Sequence, residues 1–489
     1  MRTLEQLKFD NTYARLPEVF HERVNPTPFP NPHLVSFNPA VAVLIDLHHD
    51  EANRDEFSDY FSGARLLPGS DPIAMLYSGH QFGHYVSQLG DGRAILLGEV
   101  KNKAGETWDL HLKGAGLTRF SRDGDGRAVL RSTIREYLCS EAMHGLGIPT
   151  TRSLCITSGN ETVYRESSES GAMLVRLAPS HVRFGSFEAF FYRRQHNDLK
   201  ILADYVIQYH FPLANNAENP YAQLLHDVAT LTGQMIAQWQ AVGWSHGVMN
   251  TDNMSILGLT LDYGPYGFME QFNPEFICNH SDHHGRYSFQ NQPDIGYWNI
   301  RAIAHALSPL LEQTHVEAAP EIYEQVFTKR YRELMNAKFG LVEQHAQDGL
   351  LRQGFLNLMH ESRADYTNAF RSLNNFRQDS QDHNPTIRDQ FIDRDVFDDW
   401  AAKYRERLEA ERSEDEKRKI LMDKTNPKYI LRNHLAQYAI ERAEDHHDYS
   451  EIDRLLNLLS DPCADQLSME SYARPAHSDS VPIIVSCSS

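Results

Sequence analysis

The chain has 489 residues, 41% of them apolar, and its 47 Lys and Arg against 66 Asp and Glu give a formal net charge of −19. Length and apolar content predict one large folded core with additions. The acidic balance argues against nucleic-acid binding, which needs a basic face. Because there is no run of about 18 apolar residues, we expect no membrane span.

Two features predict a cytoplasmic protein. The first residues, Met1 to Lys8, contain no apolar stretch of the signal-peptide kind. The five cysteines are few and odd in number and form no Cys-x-x-Cys pair. This usage fits a reducing compartment better than a disulfide framework or a zinc site.

The chain begins with an extension that leads into strands. Residues 1–75 are rich in Pro and Asn, as in Asn25–Pro32, which predicts an extended arm packed on a neighbouring element. Strand patterns dominate residues 76–187. The runs Arg93–Val100 and Trp108–Lys113 flank a short glycine-containing linker that suits a hairpin.

One helix is expected among these strands. Apolar residues recur at helical spacing from Arg127 to His144, and Gly145 follows. Two further strands are predicted at residues 161–166 and 173–177.

Two turns that combine glycine with aspartate could border a phosphate. Gly90, Asp91 and Gly92 precede Arg93 and a strand, and glycines let backbone amides approach a phosphate closely. Asp-Gly is also an ordinary hairpin turn, and in isolation we favour that interpretation. The second turn, Asp123–Arg127, either borders a nucleotide or caps the following helix with carboxylates.

Three cations are candidates for holding phosphates. Lys113 ends an alternating strand, as the phosphate-binding lysine of a kinase does, and Glu136 on the following helix is its natural partner. By periodicity alone Glu136 could equally be a surface carboxylate. Arg176 and Arg183 are individually more typical of structural or solvated arginines, but together with Lys113 they would suit a triphosphate.

The segment His246–Asn253 carries the strongest functional signal. It resembles a protein-kinase catalytic loop, in which His-Arg-Asp is followed after four residues by Asn, and Asp262 begins an Asp-Tyr-Gly like the kinase Asp-Phe-Gly. The position of the kinase base is Val248, which cannot accept a proton. Asn253 and Asp262 offer oxygen ligands for magnesium, and Asp252 is the carboxylate in the loop that could act as base. The alternative is a polar loop with an Asx turn.

Helical patterns dominate the rest of the chain. Residues 188–315 contain the kinase-like loop, and the pattern of residues 316–489 predicts a charged helical extension. Within it, Arg405–Lys419 is almost entirely charged, which predicts an exposed helix or linker. The order of elements predicts an α+β chain with a protein-kinase-like two-lobed fold, an N-terminal arm and a C-terminal helical extension.

Taken together, these residues resemble one family, the SelO pseudokinases (also called YdiU or selenoprotein O), which are protein adenylyltransferases. The resemblance covers essentially the whole chain. It rests on Tyr77–Gly83, Gly90–Ala94, Leu112–Gly116, Gly124–Ala128, Ser132–Leu138, His246–Asn253, Asn279–Asp282, Asn291–Pro293 and Asn426–Ala436.

The resemblance implies transfer of AMP from ATP, bound in a flipped orientation, to Ser, Thr or Tyr hydroxyls of proteins. It implies that Asp252 accepts the proton and that Asn253 and Asp262 bind Mg²⁺, with Mn²⁺ as an alternative. The residues that it implies for nucleotide binding are Gly90, Gly92, Arg93, Lys113, Asp125, Gly126, Arg176, Arg183 and Asp262.

The resemblance also draws attention to the C-terminal tail. Some members carry selenocysteine three residues from the end, where Cys487 stands here. A tail cysteine is usually inert. The functional hypothesis is a redox contact, with a reversible disulfide to Cys278 as one form.

Three other functions remain open from the sequence. A protein kinase would use the same groups on the γ-phosphate. A pseudokinase scaffold would bind ATP, or nothing, without catalysis; Val248 favours it, but Lys113, Glu136, Asn253 and Asp262 oppose it, since a scaffold needs no metal ligands. A thiol oxidoreductase built on Cys487 is the least favoured.

Overall fold

The computed structural model describes residues 1–380, 383–477 and 483–486. Its strands are β1 (His21–Arg23), β2 (His33–Phe37), β3 (Ile73–Met75), β4 (Gly79–Gln81), β5 (His84–Val86), β6 (Ala94–Lys101), β7 (Thr107–Lys113), β8 (Ala128–Val129), β9 (Arg152–Tyr164), β10 (Ser168–Ala178), β11 (Trp244–Ser245) and β12 (Gly267–Phe268).

The helices occupy the spaces between strands early in the chain and nearly all of its second half. They are α1 (Pro39–Ala42), α2 (Asp55–Phe61), α3 (Leu130–Gly145), α4 (Phe184–Tyr192), α5 (His196–His210), α6 (Pro220–Val242), α7 (Gln292–Leu307), α8 (Gln313–Lys338), α9 (Asp348–Ser362), α10 (Tyr366–Leu373), α11 (Pro385–Arg388), α12 (Arg394–Ala410), α13 (Asp415–Thr425), α14 (Asn433–His446) and α15 (Ser450–Ser460). The mixed α/β prediction is confirmed.

An antiparallel sheet with the strand order β1-β3-β6-β7-β10-β9-β2 organises the first half of the chain, and β8 pairs with β10. The predicted β6–β7 hairpin is confirmed, with Ala94 opposite Lys113. The prediction of an extended arm was incomplete, because the N-terminal segment also supplies β1 and β2, the two edge strands. Helix α3 starts at Leu130 rather than Arg127, because Ala128 and Val129 first pair with β10.

Both faces of the sheet are covered. On one face the N-terminal segment packs residues such as Ile45 and Phe57 against Leu110 and Val175. On the other face lies α3, and α14 and α15 pack against that helix from the C-terminal region. Helix α3, which carries Glu136, therefore lies between the sheet on one side and α14 and α15 on the other.

The loop with the kinase-like pattern follows the long helix α6. Asn219 caps the start of α6 by accepting hydrogen bonds from the amides of Tyr221 and Ala222. Gly243, at φ +69°, ends the helix in the left-handed conformation that favours glycine. The chain then forms β11 and enters the loop at His246.

The expectation that Arg405–Lys419 is an exposed charged segment was wrong for two of its arginines. Arg407 is buried and pairs with Asp348 and Glu411. Arg418 is buried and donates to the Phe376 carbonyl. These arginines are buried because each has polar partners inside the fold. The charge pattern of the sequence alone does not distinguish such arginines from solvated ones.

Among the described residues, no helix combines the length and the apolar character needed to cross a membrane.

Replacing Lys338 by Met should stabilise the protein at neutral pH. Lys338 lies buried in the C-terminal helical core with its ammonium group 4.2 Å from the centre of the Phe370 ring. Burial lowers its pKa from 10.5 to about 7. Between about pH 7 and 10.5 the unfolded chain therefore binds a proton that the folded protein has lost. The free-energy cost of burying the charged lysine is full below about pH 7 and disappears as the pH rises to about 10.5.

We expect Lys338→Met to raise the free energy of unfolding by about 1–3 kcal/mol at pH 7. The gain is smaller than the full desolvation cost of the lysine, because the cation–π contact stabilises the parent. Chemical denaturation at pH 7 and pH 10 measures the difference. An equal gain at both values would contradict the assignment to a buried cation.

Candidate active site

All the residues predicted for nucleotide, metal and proton binding surround one cavity of about 700 Å³. Its lining includes Gly90, Gly92, Arg93, Lys113, Asp125, Gly126, Arg176, Arg183, Asp252, Asn253 and Asp262. Residues separated by more than 160 positions in the sequence therefore meet at one place.

Glycine is required at two positions of this lining. Gly90 has φ +95°, and a Cβ there would lie 2.6 Å from the Phe120 ring. Gly126 has φ +72°, and a Cβ would lie 2.2 Å from the Gly116 backbone. Both turns are thus packed too closely for a side chain at either glycine.

The second turn does not cap α3. Val129 is the N-cap residue of α3 and makes no side-chain capping bond. Asp125 instead accepts hydrogen bonds from the Arg127 amide at 2.9 Å and from Arg165 at 2.7 Å. The capping alternative is wrong, and the Asp125 carboxylate lies at the cavity lining.

Lys113 and Arg176 share a buried carboxylate. The Lys113 ammonium pairs with Glu136, and Arg176 donates to the other oxygen of Glu136 at 2.9 Å. Glu136 is 1% exposed, so the interpretation of a surface carboxylate was wrong. Burial opposes its ionisation, but Lys113 and Arg176 outweigh burial and lower its pKa.

Arg176 and Arg183 also meet at Asp262. One carboxylate oxygen accepts from Arg176 and the other from Arg183, and both arginines are 2% exposed. Of the two individual interpretations, structural or solvated, burial excludes the solvated one for both arginines. The Arg183 guanidinium also lies 4.7 Å from the centre of the Tyr77 ring and donates to the Asp252 carbonyl at 2.8 Å.

Asp262 is held in an unusual conformation and charge state. Its φ of +58° is rarely adopted by residues other than glycine. Burial opposes its ionisation, but Arg183, Arg176 and Lys113 hold its pKa well below the usual range. A strained, fully ionised carboxylate in a cavity is typical of a functional position.

His246 and Asn253 shape the kinase-like loop. The His246 Nε2 donates to the Leu261 carbonyl at 3.1 Å, directly before Asp262, while Nδ1 accepts from the Val248 amide. The Asn253 side-chain amide donates to the Val248 carbonyl at 3.0 Å, so Oδ1 is the atom of this side chain that could bind a cation.

Asp252 has the properties expected of a base. Its Oδ2 accepts from Gln81 at 3.2 Å, whereas its Oδ1 is buried and has no hydrogen-bond partner in the described part of the chain. Burial raises the pKa of Asp252 to about 7 despite the nearby Arg183. A carboxylate with a pKa near neutrality can both take up and release a proton at physiological pH.

Sequence reasoning missed several residues around the cavity. Gln81 and Tyr77 belong to the segment Tyr77–Gly83, which was recognised only as part of the family pattern. His111 and Asp91 were assigned no role, although His111 contacts Arg176. The alternating pattern of β7 identified the side of the strand on which His111 lies, but not that this side is buried as well.

Of the two redox candidates, the structure describes Cys278. Cys278 is buried behind the loop, 3.5 Å from the Ser245 carbonyl, and burial raises its pKa to about 12. The His280 amide donates to the Val485 carbonyl at 2.9 Å, which brings the tail to this segment. Cys487 itself lies outside the described residues.

Comparisons with known proteins identify the family of the chain. Residues 3–460 match the family model described as protein adenylyltransferase SelO. Three relatives, each named protein nucleotidyltransferase YdiU, match over 100% of both chains: those of Myxococcus xanthus (55% identical), Thioalkalivibrio sulfidiphilus (53%) and Thiobacillus denitrificans (52%). The chain therefore belongs to the SelO family.

Proposed function

We propose that this protein transfers AMP from ATP to Ser, Thr or Tyr hydroxyls of protein substrates and releases pyrophosphate. The observation that carries the proposal is the meeting, in the lining of one cavity, of the Asp252 carboxylate, whose pKa burial raises to about 7, with the cations Lys113, Arg176 and Arg183. The first is suited to removing a proton, and the second to holding phosphates.

The cations determine which phosphorus reacts. If Lys113, Arg176 and Arg183 hold the β- and γ-phosphates, they stabilise the negative charge that develops on departing pyrophosphate. The α-phosphate then lies toward the kinase-like loop. Asp252 takes the proton of the acceptor hydroxyl, the hydroxyl oxygen forms a bond to the α-phosphorus, and the bond from that phosphorus to the β-bridging oxygen breaks.

The residues of the loop suit a divalent cation. The Asn253 Oδ1 and the Asp262 carboxylate are hard oxygen ligands of the kind that Mg²⁺ takes beside substrate phosphates, with Mn²⁺ as an alternative. When bound, the metal would neutralise phosphate charge. Asp262 would then exchange at least part of its contact with the two arginines for the metal, which leaves the arginines available to the nucleotide.

The proposed architecture is protein-kinase-like and two-lobed. An N-terminal extension at residues 1–75, an N-lobe at 76–187, a C-lobe at 188–315 and a C-terminal helical extension at 316–489 would place the cavity between the lobes. The Lys113–Glu136 pair, which joins β7 to α3, supports this proposal because kinases hold their phosphate-binding lysine in the same way. We propose a cytoplasmic location on the cysteine usage.

ATP labelled at either the α- or the γ-phosphate distinguishes the functions. With Mg²⁺ and candidate acceptor proteins, we expect stable protein label from the α-phosphate that is lost in Asp262→Ala. Label from the γ-phosphate alone would identify a kinase and would overturn the assignment of the three cations. Nucleotide binding without label from either position, across a panel of acceptors, would favour a scaffold.

We further propose that Cys487 and Cys278 form a reversible disulfide. Only one residue separates Cys487 from Val485, whose carbonyl accepts a hydrogen bond from the His280 amide, and this contact near Cys278 supports the proposal. Because burial raises the pKa of Cys278, the Cys487 thiolate would be the group oxidised first. Oxidised glutathione would supply the oxidant, with two thiols giving one disulfide and two reduced glutathiones.

Activity of Cys487→Ser and of the parent, measured in oxidised and reduced glutathione, tests this redox proposal. We expect the parent to differ between the two conditions and Cys487→Ser to be unaffected. Peptide mapping should find the cross-link in the oxidised parent and not in Cys278→Ser. Equal responses of parent and variant would remove the proposal.

A further inference from the structure

A buried histidine connects the arginine cluster to the first glycine turn. His111 lies in the middle of β7 with no exposed surface. Its Nδ1 is 2.9 Å from the Arg176 guanidinium, and its Nε2 is 3.2 Å from the carboxylate of Asp91, which stands between Gly90 and Gly92. One imidazole therefore contacts both a candidate phosphate-binding arginine and the glycine turn that also lines the cavity.

The partners of His111 fix its tautomer. A guanidinium can only donate, so Nδ1 must accept from Arg176 and carry no proton, and Nε2–H then donates to Asp91. Burial lowers the pKa of His111; Asp91 opposes this effect, the cations Arg176 and Arg183 add to it, and the pKa remains below its usual value. His111 is therefore neutral at physiological pH.

A neutral partner differs in kind from the other groups that hold Arg176. Glu136 and Asp262 both place negative charge on the guanidinium, Glu136 is shared with Lys113, and Asp262 is the proposed metal ligand. His111 fixes the orientation of Arg176 without cancelling its charge. Its contact with Arg176 does not involve Asp262 and would remain if Asp262 bound a metal.

The surroundings of His111 are built to keep it in place. The His181 ring stacks on it with 4.3 Å between centroids, and Asp109 anchors His181 through its ring nitrogen and its amide, both at 2.9 Å. Asp91 is tied in turn to β3, because its carboxylate accepts from the Met75 amide at 3.0 Å.

We propose that His111 is a positioning residue for nucleotide binding, which orients Arg176 toward the β- and γ-phosphates and couples it to the Gly90–Gly92 turn through Asp91. This inference rests on the proposed function for the identity of the ligand. It assigns to a neutral, fully buried side chain the task of orienting a positively charged group without adding a further negative charge to it.

Two substitutions separate the contacts of His111. Asn places a carbonyl oxygen near the position of Nδ1 and so keeps an acceptor for Arg176, whereas Gln places its amide nitrogen near Nε2 and keeps the donor to Asp91. We would measure, by calorimetry, the affinity of each variant for a non-hydrolysable ATP analogue and for AMP, which lacks the β- and γ-phosphates.

We expect His111→Gln to weaken binding of the ATP analogue about ten-fold, the size of one hydrogen bond to a charged group, and to leave the affinity for AMP unchanged. His111→Asn should stay within about two-fold of the parent for both ligands, since one weak contact is lost. In the double variant with Arg176→Gln, His111→Gln should add no further loss.

Arg176→Gln alone tests the proposed phosphate site separately from the positioning role of His111. If Arg176→Gln does not weaken the ATP analogue relative to AMP, the proposed phosphate site is wrong. If it does, but His111→Gln and His111→Asn weaken the analogue equally or weaken AMP as much, the positioning role of His111 is overturned. Should His111→Gln fail to fold, a loss of analogue affinity in His111→Asn alone would overturn it as well.

Discussion

Replacing Asp252 by Asn should lower kcat for AMP transfer by a factor of about 10²–10⁴, the usual contribution of a positioned general base. Asn keeps the shape of the side chain and can still contact Gln81, but its amide cannot take up the acceptor proton. The affinity for a non-hydrolysable ATP analogue should not change, because the Asp252 carboxylate is assigned no contact with the phosphates.

The measurement is the rate of α-phosphate transfer at saturating ATP. A matched control is Asp204→Asn, which removes an exposed carboxylate on α5 that does not line the cavity. We expect the control to match the parent. Full activity of Asp252→Asn would remove Asp252 from the mechanism and return the loop to a structural role.

Asp252 should also leave a signature in the stability of the metal-free protein. Its pKa is about 7 in the folded state against a usual value of 3.8, so the folded protein holds a proton that the unfolded chain lacks between these values. Stability from this group is therefore lost as the pH rises from about 4 to 7. In EDTA, Asp252→Asn should be more stable than the parent by about 1–4 kcal/mol at pH 8 and equal to it below pH 4.

Replacing Asp262 by Asn should reduce AMP transfer by about 10³-fold or more, because the change removes both a metal ligand and the carboxylate that orients the arginines. The same change leaves Arg176 with Glu136 as its buried carboxylate and Arg183 without an ion pair among the described residues. Breaking a buried ion pair from one side costs about 3–5 kcal/mol, so the unliganded variant should also be less stable.

Binding of inorganic triphosphate should show whether Arg176 and Arg183, which Asp262 holds in the parent, form the phosphate site. The arginines released by Asp262→Asn are free to bind phosphate, whereas in the parent Asp262 competes for them. We expect inorganic triphosphate, added without metal, to raise the Tm of Asp262→Asn more than that of the parent or of Asp204→Asn. A smaller rise in Asp262→Asn would mean that Arg176 and Arg183 do not form the phosphate site.

The sequence predicted helices and strands well in segments where apolar residues recur at regular spacing. The β6–β7 hairpin follows from two strand patterns on either side of a short glycine-containing linker. The start of α3 was misplaced because pairing of Ala128 and Val129 with β10 overrides a helical pattern. Strand pairing of this kind depends on residues more than 40 positions away.

Motif spacing placed the candidate site, and tertiary packing decided its charge states. Spacing alone identified Asn253 and Asp262 as an amide and a carboxylate at kinase-like positions. It could not show that burial raises the pKa of Asp252 while two arginines lower that of Asp262. A pKa depends on solvation and on neighbouring charges in space, and neither is a property of a segment.

The sequence by itself determined the family, the elements and the residue types of the site, because these are carried by local spacing. Only the tertiary structure decided which residues meet: that Glu136 is buried between Lys113 and Arg176, and that His111 contacts Arg176. Their contacts join strands and a helix distant in sequence, so their existence depends on how the sheet, α3 and the loop pack together.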